Sequence, residues 1–78
     1  MEIEDRIRKD IGKFSESISK TEGIETSDDE NKIVELAKMY ASDAAAWLDK
    51  KDFYTSFSSI SYAHGLLDAL LKLKHLIE

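Results

Sequence analysis

Ser61-Tyr62-Ala63-His64-Gly65-Leu66-Leu67-Asp68-Ala69, read together with Tyr40-Ala41-Ser42-Asp43-Ala44 upstream, decides the fold. Each segment carries a tyrosine and closely spaced alanines, with one acid at the margin of an apolar surface. Small residues at helical spacing let two helix axes approach, toward the lower end of the usual distance of about 8–10 Å. The two segments therefore read as the facing sides of a helical hairpin.

Working outward, Asp52 is the expected N-cap of a third helix running from about residue 53 to 77. Its apolar residues are Phe53, Phe57, Ile60, Ala63, Leu66, Leu67, Ala69, Leu70, Leu71, Leu73 and Ile77. They span an arc of roughly 200°, which needs two neighbouring elements, or one neighbour and another protein. Leu67 and Leu70 on this arc belong either to the core or to an interface. Upstream, Ser27-Asp28-Asp29-Glu30 has the pattern of a capping box and opens a second helix over about 28–50. Its apolar face (Ile33, Val34, Leu36, Ala37, Tyr40, Ala41, Ala44, Trp47, Leu48) covers about 160°. The very short connection makes helices two and three antiparallel neighbours. Ala37, Ala41, Ala44, Ala63 and Ala69 are expected between them.

The first helix, about residues 2–20, is different. Ile3, Ile7, Ile11, Phe14 and Ile18 follow a 4-4-3-4 spacing. They form a stripe of only about 80° on an otherwise charged surface, so this helix should lie in a groove and be the most detachable element. Gly12 lies off the stripe. Gly23 is a candidate for the C′ residue that ends the helix, and Ile24 is expected to tuck back under the bundle.

The 78 residues lack cysteine and proline and contain a single valine and three glycines. This composition favours helices over strands and excludes a disulfide framework or thiolate metal site. The acidic start, Met1-Glu2-Ile3-Glu4-Asp5, is unlike a signal peptide. No apolar run approaches the roughly 20 residues of a membrane span. A cytoplasmic location is the expectation. The net charge of −5 is spread along the chain. The only basic clusters are Lys50-Lys51 and Lys72-x-Lys74-His75, so nucleic-acid binding is disfavoured.

Tyr40-x-x-Asp43-Ala44, Trp47-Leu48, Asp52, Phe57, Ile60 and Tyr62-Ala63-His64-Gly65-Leu66-Leu67-Asp68-Ala69 resemble a small archaeal family known as domain of unknown function 357. The likeness covers helices two and three well and helix one only as a generic amphipathic helix. It implies a compact helical fold, an archaeal cytoplasmic source and no established activity. Members joined to nucleotidyltransferase-like domains would suit an accessory role. The hairpin is also loosely similar to nuclease-type helical domains of toxin–antitoxin systems, which pair an arginine with a later histidine on one helix. Helix three has no arginine, so that activity does not carry over.

The candidate functional face is Tyr40, Asp43, Tyr62, His64 and Asp68. His64 and Asp68 are four residues apart and could share a metal or a proton, with Asp43 arriving from helix two. Asp43 and Asp68 could alternatively act as an acid–base pair. The structural reading carries more weight: His64 and Asp68 line a solvated side with Ser61, Lys72 and His75, and the acids bond the hydroxyls of Tyr40 and Tyr62. Trp47, Phe53 and Phe57 read as core at the turn end of the bundle. Gly65 reads as a site of close approach or room for a ligand. Ser58, Ser59 and Ser61 lie near His64 without an oxyanion hole. Phosphate loops, nucleophile elbows and zinc spacings do not occur, so no cofactor is expected. The sequence thus predicts an all-α, three-helix bundle, one domain over residues 1–78. Its expected role is a non-catalytic module for a protein partner or a homodimer, with the surplus arc on helix three as interface. The alternative is an enzyme acting on a small polar or nucleotide substrate through Asp43, His64 and Asp68.

Overall fold

A computed structural model describes residues 2–75 and contains three helices: α1 (Glu2–Ser19), α2 (Asp28–Asp49) and α3 (Phe53–Leu73). The all-α bundle and its antiparallel α2–α3 hairpin are as the spacing predicts. The hairpin makes the most extensive contact, and α1 packs more on α3 than on α2.

Local chemistry sets the helix ends. Ser27 caps α2: its hydroxyl accepts from the Glu30 amide at 3.1 Å, and Glu30 Oε1 accepts from the Ser27 amide at 2.8 Å. At the far end, the Lys51 amide donates to the Leu48 carbonyl and the Asp52 amide to the Trp47 carbonyl, both at 3.0 Å. This is a Schellman closure with lysine, at φ 66°, where glycine is usual. Asp52 then caps α3 through the Thr55 amide at 3.0 Å. Gly23 does take a positive φ of 75°. It stands one turn beyond the end of α1, because i→i+3 bonds from Lys20, Thr21 and Glu22 tighten the exit first. Ile24 is half-buried. The third helix stops short of the expected reach to Ile77: the chain turns left-handed at His75, φ 59°, whose amide closes on the Lys72 carbonyl at 3.0 Å. Ile77 itself lies outside the described residues.

The core is a line of aliphatic side chains along the hairpin, sealed on one side by α1. Ile7, Ala37, Ala44, Ile60, Ala63 and Leu67 are fully enclosed, with Phe14, Leu48, Leu70 and Leu71 nearly so. Of the α1 stripe only Ile7 and Phe14 are buried, and Ile3, Ile11 and Ile18 are half-covered, as a narrow stripe in a groove requires. Among the described residues one buried side chain is polar. Ser56 has no exposure, and its hydroxyl donates to the Ala44 carbonyl at 2.7 Å, pinning the hairpin near its turn.

Two expectations about packing are corrected. Trp47, Phe53 and Phe57 do not fill the turn end: Trp47 is 37% exposed and both phenylalanines are only half-buried. The turn end is closed instead by buried Ser56, Ala44 and Leu48. The Trp47 ring lies at the surface under the Lys50 ammonium, 4.9 Å from its centroid. Ala69 is exposed rather than between the helices. It lies about 160° around α3 from buried Leu67, at 100° per residue.

Candidate functional site

The five candidate residues divide between two sides of the hairpin. Tyr40 and Tyr62 meet edge to face, ring centroids 4.7 Å apart at 81°. His64 lies two positions beyond Tyr62, about 160° around α3, and points into α1. Its Nε2 stands 2.7 Å from the Asp10 carbonyl, which can only accept, so Nε2 carries the proton. The Phe14 ring packs edge-on against the imidazole at 5.7 Å. His64 is therefore a fastening for α1 rather than part of a solvated side. Asp68 shares that side of α3 and is half-buried.

Asp43 is exposed on the other side. The α2 surface toward α1 is marked by Ala45 and Leu48, which line a shallow dip with Arg8 and Ile11. Asp43 lies about 160° from Ala45 around α2. The structure thus separates Asp43 from His64 and Asp68 by the thickness of the hairpin. Among the described residues no group of three or more His, Cys, Asp or Glu side chains is arranged to hold a metal ion. Nor, among the described residues, does either tyrosine hydroxyl bond Asp43 or Asp68; the rings pair with each other instead.

Tyr40 and Tyr62 mark the middle of a larger feature. On α2, Ile33, Leu36, Tyr40, Asp43 and Trp47 follow a 3-4-3-4 spacing. On α3, Tyr62, Leu66, Ala69 and Leu73 follow 4-3-4. Both are heptad-like seams, and both lie on the side of the hairpin that α1 leaves open. Leu36 is 37% exposed, Tyr62 51% and Leu73 71%. Met39, on the flank of the α2 seam, was not singled out by spacing and is also exposed. An open dip on that flank is lined by Asp28, Asn31, Lys32, Glu35, Leu36 and Met39. All six belong to one helix, so it is a groove on a surface and not a chamber for a small substrate.

The charged corners are tied down inside the chain. Lys51 Nζ reaches Glu4 at 3.2 Å, and this bond, with Arg8 assisting, holds the Glu4 carboxyl below its ordinary pKa. Lys74 Nζ reaches Glu30 at 3.1 Å and the Glu25 carbonyl at 3.2 Å. The Ser27 amide, and after it Lys74, lowers the Glu30 pKa. With Lys50 over Trp47, three lysines of the two basic clusters have partners within the protein.

Gly65 is exposed, and a methyl group placed there would meet nothing within 4 Å. It is neither a close-approach point nor a cleft. Gly65→Ala should raise stability by about 1 kcal/mol through helix propensity, read as a higher urea midpoint with unchanged slope.

Fold and surface together define a small three-helix protein with one sealed and one open side to its central hairpin. The chain matches the family model described as "Protein of unknown function (DUF357)" over residues 7–76 and belongs to that family. No curated protein matches it. Among the described residues no helix is long and apolar enough to cross a membrane.

Proposed function

We propose that the protein is a non-catalytic interaction module that binds another protein chain through the open side of the α2–α3 hairpin. The observation that carries this reading is the pair of adjacent apolar seams, with Ile33, Leu36 and Trp47 exposed around half-buried Tyr40 on α2, and Tyr62 and Leu73 exposed around half-buried Leu66 on α3. Two adjacent seams at heptad spacing fit further helices better than a small molecule. An archaeal, cytoplasmic setting and an accessory role beside a larger enzyme belong to the same reading and rest on the family likeness. The test is position-specific photo-crosslinking in cells, with the reactive side chain at residue 36 or, as control, at exposed Glu16 on α1. Defined protein adducts from position 36 and none from position 16 are expected. Equal, diffuse labelling from both would count against the reading.

A further inference from the structure

We propose that α1 is a hinged strap over the hairpin, latched by the ion pair of Lys51 with Glu4 at the end remote from its connection to α2. The inference concerns the sealed side of the hairpin and is independent of what binds the open one.

The latch stands where the backbone favours another residue. Lys51 occupies the left-handed position of the Schellman closure, φ 66°, which glycine adopts without the steric cost of a Cβ. What lysine adds there is reach. Its Nζ lies 3.2 Å from Glu4 Oε1, across 47 positions of sequence, and joins α1 to the α2–α3 turn. The other carboxylate oxygen, Oε2, accepts from Arg8 Nη2 at 3.3 Å. Arg8, one turn along α1, thereby steadies the carboxylate that Lys51 meets.

The rest of α1 has the form a strap requires. At its other end the connection to α2 carries Gly23 at φ 75°, with open space around it. Beyond that glycine, Lys74 Nζ bonds the Glu25 carbonyl at 3.2 Å and Glu30 at 3.1 Å. The pivot between Ser19 and Glu25 is therefore anchored on its hairpin side. Along the strap only Ile7 and Phe14 are buried, and the Asp10 carbonyl bonds His64. Glu4 lies about 22 Å along the helix from Ser19, so the latch acts at the far end of the lever. Lifting α1 uncovers the cluster that Phe14 shares with Ile60, Leu67 and Leu71. That is a second apolar surface on the hairpin, and the latch sets how often it is exposed.

Native-state hydrogen exchange on the full chain, with Lys51→Gly against wild type, tests this. Glycine relieves the left-handed position and removes the latch, so the two effects separate. The α1 amides should lose about threefold in protection, the scale of an ion pair at a surface. The α2 and α3 amides should keep or gain protection. Glu4→Gln should give a similar loss in α1, and the double variant no more than the larger single loss, because both changes break one contact. Unchanged α1 protection in Lys51→Gly overturns the inference. So does a loss shared equally by all three helices, which makes Lys51 a general support and not a latch. Losses that add in the double variant also overturn it, since the two residues then act apart.

Discussion

Leu67→Asp is expected to abolish the fold. Leu67 has no exposure and lies in the cluster with Phe14, Ala37, Ala44, Ile60, Ala63 and Leu71, where all three helices contribute. Losing the leucine packing costs about 2–5 kcal/mol, and a carboxylate without a partner there adds several more. A domain of this length holds roughly 4–12 kcal/mol in all. Far-ultraviolet circular dichroism at neutral pH should show mostly unfolded chain and no cooperative melt. Leu36→Glu, by contrast, should keep its helical spectrum, since Leu36 faces outward. A Leu67→Asp protein that melts like wild type would place Leu67 outside the core. The spacing of α3 alone left Leu67 and Leu70 open between core and interface; their burial assigns both to the core.

The second large effect is the release of α1. Phe14 and Ile7 are its only buried side chains, and Phe14 also braces the His64 ring that bonds the Asp10 carbonyl. Phe14→Ala should cost about 3–5 kcal/mol. The loss should fall unevenly, because α1 lies against the hairpin along a single stripe. Native-state hydrogen exchange should show the α1 amides opening well before those of α2 and α3. If α1 amides exchange only together with the hairpin, α1 is an integral part of one cooperative unit and not the separable seal described above.

What the sequence disclosed was whatever local chemistry decides. Ser27 and Glu30 form the capping box their spacing promises. Asp52 caps α3, and the 4-4-3-4 stripe of α1 lies in its groove. Residues whose environment depends on a distant element were less legible. His64 binds a backbone carbonyl, and a carbonyl leaves no trace in residue identity. Ser56 is buried because Ala44 gives it a carbonyl to bond, which spacing cannot anticipate. Trp47 looked like core because large aromatics usually are, yet its position on α2 falls on the side that neither α1 nor α3 covers. The interface was expected on α3, whose apolar arc is wider. That arc is mostly consumed by two neighbours, α1 and α2. On α2 the arc outruns its cover, leaving Ile33, Leu36, Met39 and Trp47 at the surface.

Trp47 is the single tryptophan of the chain and stands on that uncovered side, so its fluorescence reports on the open face. Acrylamide quenching of the isolated protein in dilute solution should find an accessible indole with red-shifted emission. Protection should follow only when another protein covers the face. An indole that is blue-shifted and shielded at every dilution would mean that the hairpin is sealed on both sides within one chain, and the open face would not exist.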